Sequence, residues 1–234
     1  MNARDFGPRA RVARKRGGRC PARSRSVSGP TAGEDVTRDL IVTTAFALFR
    51  HYGHTKTTLA DIAEACEMSR ANVYRFFDSK SAISETICTL VLTALAADLA
   101  EIAAGAAPAS SRLARMADRV TRFNRDGARS DGRIHDMLTS AVTEDWSAVR
   151  RFVHDARILF ESVIRDGMAA GEFAEGDPGR AALYVCFALI GFWHPSVVDR
   201  CSEFAEVRDA SELIAFLLSG LRPDRRPAEG AGVS

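Results

Sequence analysis

From about residue 37 onward, apolar side chains recur at three- and four-residue steps, the period of helices with one buried face, and no stretch alternates as a strand would. The first helix is predicted from a Thr37 cap, with Leu40, Ile41, Ala45, Leu48 and Phe49 inward and Gly53 at its end. Two short helices follow. Thr58 and Asp61 form a T-x-x-D capping box ahead of Ile62 and Ala63, and Ser69 caps a run from Arg70 to Phe77. A long helix from Ser79 or Lys80 to Ala104 carries Ile83, Ile87, Leu90, Val91, Leu95 and Leu99. Gly105 and Pro108 stop it, Ser110 or Ser111 opens the next helix with Leu113, Met116, Val120 and Phe123, and residues 125–133 read as a loop. Further helices are predicted over about 134–144, 147–170, 180–193 and 210–221, with Pro195 ending or kinking the third of these.

Two helices as close in sequence as those after Thr58 and Ser69 cannot lie antiparallel; they cross steeply, as in a helix-turn-helix. Arg70, Ala71 and Asn72 fill the first turn of the second one, the part of a recognition helix that meets base edges in the major groove. Arginine can bond guanine O6 and N7 together, asparagine can do the same with adenine N6 and N7, and alanine is small enough to approach a thymine methyl. Val73 and one or both of Phe76 and Phe77 suit the opposite, buried face against Ile62 and Ala63, leaving Tyr74 and Arg75 to reach towards phosphates or neighbouring bases. Lys80, beside the Ser79 cap of the next helix, suits a backbone phosphate. Each feature alone also occurs in ordinary helical proteins, where Tyr74 would be core; their order and spacing together point to a DNA reader.

The segment from about residue 37 to 90 resembles the TetR family of bacterial repressors. The matching features are ALFRHYG at a helix end, TTLADIAEA, a turn, then SRANVYRFF and S-K-x-A-I, with Tyr74 followed by Lys80 the most specific. The resemblance implies base contacts from Arg70, Ala71 and Asn72, and phosphate contacts from Thr57, Thr58, Tyr74 and Lys80. One departure is Glu67, where the family's turn usually has Gly. If φ is positive there, a glutamate is strained by roughly 1 kcal/mol; the alternative is a different turn shape.

Composition narrows the rest. With 234 residues, 46% hydrophobic and 26% charged, the chain can hold one or two domains with a proper core. The longest apolar run, Leu183 to Trp193, is too short to span a bilayer, and no apolar segment opens the sequence. Five dispersed cysteines without a C-x-x-C pair suit reduced thiols, and a cytoplasmic location is expected. The net charge of +2 conceals an asymmetry: residues 1–33 carry nine basic residues against the single acid Asp5, while the remainder carries 23 basic and 29 acidic residues. That Gly-, Pro-, Ser- and Arg-rich arm is expected to be disordered. It either lies along DNA phosphates or the minor groove, or is a solvated tail or an over-extended start.

The expected architecture is therefore all-α: a disordered basic arm (1–33), a three-helix helix-turn-helix DNA-binding domain (34–80), a larger helical ligand-binding and dimerisation domain (81–222) and a flexible tail from 223. The helix over 180–193 is apolar on nearly every side and the last helix has a wide leucine face, so both need covering. The resemblance implies a homodimer through these two helices; the plainer reading makes the first a central helix of one subunit. Phe123, Met137, Trp146, Phe152, Phe160, Phe187 and Trp193 are candidates to line an effector pocket, although aromatics at helical spacing also serve as core. No H-x-x-x-H or H-E-x-x-H spacing, Gly-rich phosphate loop or Ser-His-Asp order occurs, so neither a metal, a cofactor nor an enzyme is expected. A site from His135, His154 and Asp136 or Asp155 is a weak alternative, and His51 and His54 at a helix end are candidates to touch phosphate. The reading is a DNA-binding regulator, a repressor on a palindromic operator released by a small molecule. Its rival is a ligand-independent DNA-binding protein whose arm supplies the affinity.

Overall fold

A computed structural model describes residues 32–130, 132–190 and 210–222, and every regular element among them is an α-helix. α1 (Ala32–Tyr52) ends at Gly53, whose φ of 96° turns the chain. It begins before the expected cap: Glu34 and Asp35 lie in its first turn, favourable to the helix dipole, and the Thr37 hydroxyl bonds back to Gly33 O. α2 (Leu59–Ala65) and α3 (Arg70–Tyr74) follow, then α4 (Lys80–Ala103). α5 (Ala109–Ser130) and α6 (Gly132–Thr143) run through the segment expected to be a loop, because packing of α5 against α6 outweighs the modest cost of glycines in helices. α7 (Ser147–Ala169), α8 (Pro178–Ala188) and α9 (Ala210–Leu221) complete the described chain. α8 starts two residues earlier than expected, with Pro178 in its first turn and the Asp177 carboxylate accepting from Gly179 N and Arg180 N. Its expected end near Trp193 and Pro195, residues 1–31 of the arm and the tail lie outside the described residues, while Ala32 and Gly33, placed in the disordered arm, open α1.

Two apolar cores are strung along α4. The first unites Ile41 and Phe49 of α1, Ile62 of α2, Val73 and Phe77, and Ile83, Ile87 and Leu92 of α4, and continues into Met137 and Leu138 of α6 and Trp146. The second joins Leu99, Leu113, Met116, Phe160, Ile164 and Ile214. Phe152 of α7 touches both. Not every residue on the predicted stripes is inside: Leu40 and Leu90 are exposed. α4 is long and apolar enough by composition to cross a membrane, yet here it lies along α7, with Ile83, Ile87, Cys88, Leu92, Leu95 and Leu99 buried. Glu85 of α4 accepts from the backbone and hydroxyl of Ser147 at the start of α7. The start of α5 is closed by Glu172, whose carboxylate accepts from Ala109 N at 2.7 Å, Ser110 N at 2.9 Å and the Ser110 hydroxyl. Gly167 of α7 is fixed by packing: a Cβ there would sit 2.2 Å from the Phe173 ring that folds over it.

Candidate DNA-reading face and ligand cavity

Local chemistry places α3. Thr58 caps α2: its hydroxyl oxygen accepts from Asp61 N, and the Asp61 carboxylate accepts from Thr58 N at 2.7 Å. These bonds from Thr58, backbone first, hold the Asp61 carboxyl below the ordinary aspartate value. α2 ends in a Schellman motif, with Met68 N bonded to Ala63 O and Glu67 N to Glu64 O. Glu67 has φ 55°, so the family's glycine position carries a left-handed glutamate, and the expected strain of roughly 1 kcal/mol applies. Ser69 then caps α3 through Asn72 N. After Tyr74 the helix tightens, Arg75 N bonding Asn72 O and Phe76 N bonding Val73 O. Arg38 of α1, which the sequence reading did not single out, clamps this end: its guanidinium donates to Phe76 O at 2.8 Å and lies 4.1 Å from the Phe77 ring centre.

With Val73 and Phe77 buried against α2, the opposite side of α3 is outward. Arg70, Ala71, Tyr74 and Arg75 are exposed and Asn72 is half-buried. Thr58 is exposed beside them. Thr57 differs: it is buried, and its hydroxyl donates to Gly53 O at 2.9 Å, so the side chain holds the loop rather than facing outward. Lys80 is half-buried, and its ammonium donates to His54 O at 2.9 Å and Thr57 O at 3.0 Å. Two of its three N–H donors thus tie the α1–α2 connection to the start of α4. His54 also turns inward, its Nε2 3.0 Å from the Ser84 hydroxyl and its ring edge-on to Phe49. Burial, then Lys80, lowers its pKa, so the ring is neutral at pH 7. His51 is exposed, edge-on to Tyr52.

A second feature opens where the two cores meet. A cavity of about 290 Å³ is walled by Leu92 and Leu95 of α4, Val120, Phe123 and Asn124 of α5, and Leu138 and Val142 of α6. α7 adds Phe152, Ala156 and Arg157 among others, and α8 adds Leu183, Cys186 and Phe187, with Ile190 just beyond its end. Of the seven aromatic and apolar candidates, Phe123, Phe152 and Phe187 line it. Met137 and Phe160 are fully buried core, Trp146 is buried with its indole N–H on Glu144, and Trp193 lies outside the described residues. Helical spacing alone did not separate wall from core. Asn124 and Arg157, which join Cys186 as the polar part of the wall, had no sequence signal beyond their place on apolar helices. Burial pushes the Cys186 thiol up to about 11, against a smaller pull from Arg157. The described residues contain no cluster of metal-ligating side chains; His154 is exposed on α7, and the His135 side chain is outside the described set.

Comparison with known proteins fits this arrangement. Residues 41–87 match the family described as bacterial regulatory proteins, tetR family, and residues 109–214 match its tetracyclin repressor-like C-terminal domain. The chain belongs to the TetR family. TetR-family proteins are helix-turn-helix transcription regulators with a ligand-binding C-terminal domain, and such regulators are typically not enzymes. Nothing among curated proteins matches in sequence. Solved structures match in fold. A TetR-family regulator from Pectobacterium atrosepticum has 18% identity over 87% of this chain and 100% of its own, with a TM-score of 0.65. A transcriptional regulator from Cytophaga hutchinsonii has 16% identity over 79% and 98%, with a TM-score of 0.61. FadR from Bacillus subtilis, in complex with stearoyl-CoA, has 15% identity over 78% and 96%, with a TM-score of 0.54. At these identities the structures share the TetR fold.

Proposed function

We propose that this TetR-family regulator is a repressor that binds a palindromic operator as a homodimer and lets go when a small molecule fills the cavity. The observation that carries the reading is the outward first turn of α3, with Arg70 and Ala71 exposed and Asn72 half-buried, held out by buried Val73 and Phe77. Tyr74, Arg75, Thr58 and the remaining donor of Lys80 flank it as phosphate contacts. Thr57 supports them from within. A dimer is supported by large apolar side chains left open on α8 and α9: Leu183, Tyr184, Phe187 and Phe216. A two-fold axis between such faces would set two α3 helices one turn of DNA apart, ~34–36 Å.

Release follows from the route of α4. Lys80 at its start holds the head's loop, and Leu92 and Leu95 line the cavity, about 18 and 22 Å further along at 1.5 Å per residue. The cavity wall draws on both cores, so an occupant that fits one arrangement better than another shifts the head relative to the body. A neighbour of the same fold holding stearoyl-CoA supports a ligand in such a body. Sedimentation velocity with Phe216→Glu tests the dimer: the wild type is expected to sediment as a dimer, the variant to dissociate and lose DNA binding at the same concentration. Deleting residues 1–31 is expected to weaken binding without abolishing sequence preference. Complete loss of specific binding in that deletion, with Arg70→Ala harmless, would favour the arm as the source of affinity.

A further inference from the structure

The cavity surface is almost entirely apolar, and its few polar side chains restrict what it can hold. Among the described residues lining it, Arg157 is the single charged side chain, set in a wall that is otherwise aliphatic or aromatic apart from Asn124 and Cys186. Arg157 makes one described ion pair, Nη1 to Glu161 Oε2 at 3.1 Å. Glu161 does not depend on it, because its other oxygen accepts from Arg165. Two guanidinium groups thus share one carboxylate, leaving one positive charge in the trio. If Arg157 turns to another anion, Glu161 keeps a partner, and no buried charge is stranded. The raised pKa of Cys186 keeps its thiol neutral, so no other negative charge competes at the wall.

Resting on the reading of this cavity as the effector site, we propose that the ligand is an amphiphilic monoanion, an apolar body with a carboxylate head received by Arg157. The guanidinium fork matches a carboxylate, and a doubly charged head would exceed the single charge available. A cavity of about 290 Å³ has room for a medium-length alkyl acid or a bicyclic aryl acid.

Calorimetric titration of the full chain with octanoate, octanol and octylamine tests this directly. Octanoate is expected to bind roughly tenfold tighter than octanol, about 1.4 kcal/mol, with octylamine weakest. Arg157→Gln should bring octanoate to the level of octanol measured on the same variant, and Arg157→Lys should keep part of the preference. Arg165→Gln should also weaken octanoate, since Glu161 then has only Arg157. Running 2-naphthoate against 2-naphthol repeats the comparison for an aromatic body, and an acid preference in either pair supports the proposal. Equal binding of acid and alcohol in both pairs, tightest binding of the amine, no binding of any probe, or an Arg157→Gln variant that is folded by circular dichroism yet keeps the acid preference overturns it. The same probes added to the DNA complex separate the two claims. Octanoate that binds through Arg157 without releasing DNA removes the effector reading and leaves the ligand class standing. Release by octanol and not octanoate does the reverse.

Discussion

The DNA-reading head closes its helix starts with neighbours in sequence, whereas two helix starts of the body are closed from far away, with the Asp177 cap of α8 as the body's local exception. In the head, Thr58 caps α2 through Asp61 and Ser69 caps α3 through Asn72, each partner only three residues away. In the body, the start of α5 is closed by Glu172 and the start of α7 is bonded by Glu85, each partner 62 or 63 residues away. The head's surface chemistry is therefore set by adjacent residues, whereas the cavity wall is assembled from five helices distant in sequence. Short-range hydrogen bonds fix where a side chain points almost from the sequence alone. A wall brought together by packing fixes it only once every helix is in place.

The sharpest test of that contrast lies among the body's apolar side chains. Phe160→Ala, in the filled second core, is expected to cost about 3–5 kcal/mol in urea unfolding, whereas Val153→Ala, exposed at the cavity, should stay within about 0.5 kcal/mol. Similar losses at both would mean that the cavity is closed by tight packing. In the head, Arg70→Ala or Asn72→Ala should each lose ~1–3 kcal/mol of operator affinity and relax one position, with the unfolding midpoint unmoved. The local caps come next. Thr58→Ala should destabilise by about 1 kcal/mol, and Glu67→Gly should stabilise by roughly the same, because glycine tolerates the φ of 55°.

The smallest effect concerns pH and the long-range cap. Burial alone would raise the Glu172 carboxyl, but hydrogen bonds from Ser110 and Ala109, with Arg112 nearby, hold it below the ordinary 4.5. A carboxyl depressed in the folded state adds stability above its unfolded value, and that contribution disappears as pH falls through the lower folded value. Glu172→Gln is thus expected to be less stable than the wild type at pH 7, with the gap closing below pH 4.5 as acid unfolding is followed by circular dichroism. A gap that widens in acid would reverse the assignment.

The same contrast explains what the sequence revealed. The capping box, the Ser69 cap and the burial of Val73 were legible, because each rests on neighbours within a few residues, whereas the choice of Phe77 over Phe76 and the left-handed Glu67 stayed open in the sequence. Thr57 and Lys80 were expected as outward phosphate contacts; their inward bonds, which depend on how α4 meets α1, had no local signal. Arg38 reaches across to Phe76, a contact no local pattern announces. In the body, Phe123, Phe152 and Phe187 carry the same helical period as Met137, Trp146 and Phe160, and only the meeting of the two cores decides which face a cavity. The loop expected over 125–133 failed for a related reason: its glycines signal a break, yet packing of α5 against α6 overrides a propensity cost of about 1 kcal/mol per glycine.

The central claim is that the first turn of α3 reads bases, and selection of bound sites from random duplex DNA at physiological salt tests it most directly. The wild type is expected to enrich a palindromic motif with half-sites about one helical turn apart, and the Arg70→Ala/Asn72→Ala double variant to lose it while remaining folded. The same motif enriched by both proteins, or none by the wild type, would contradict the claim.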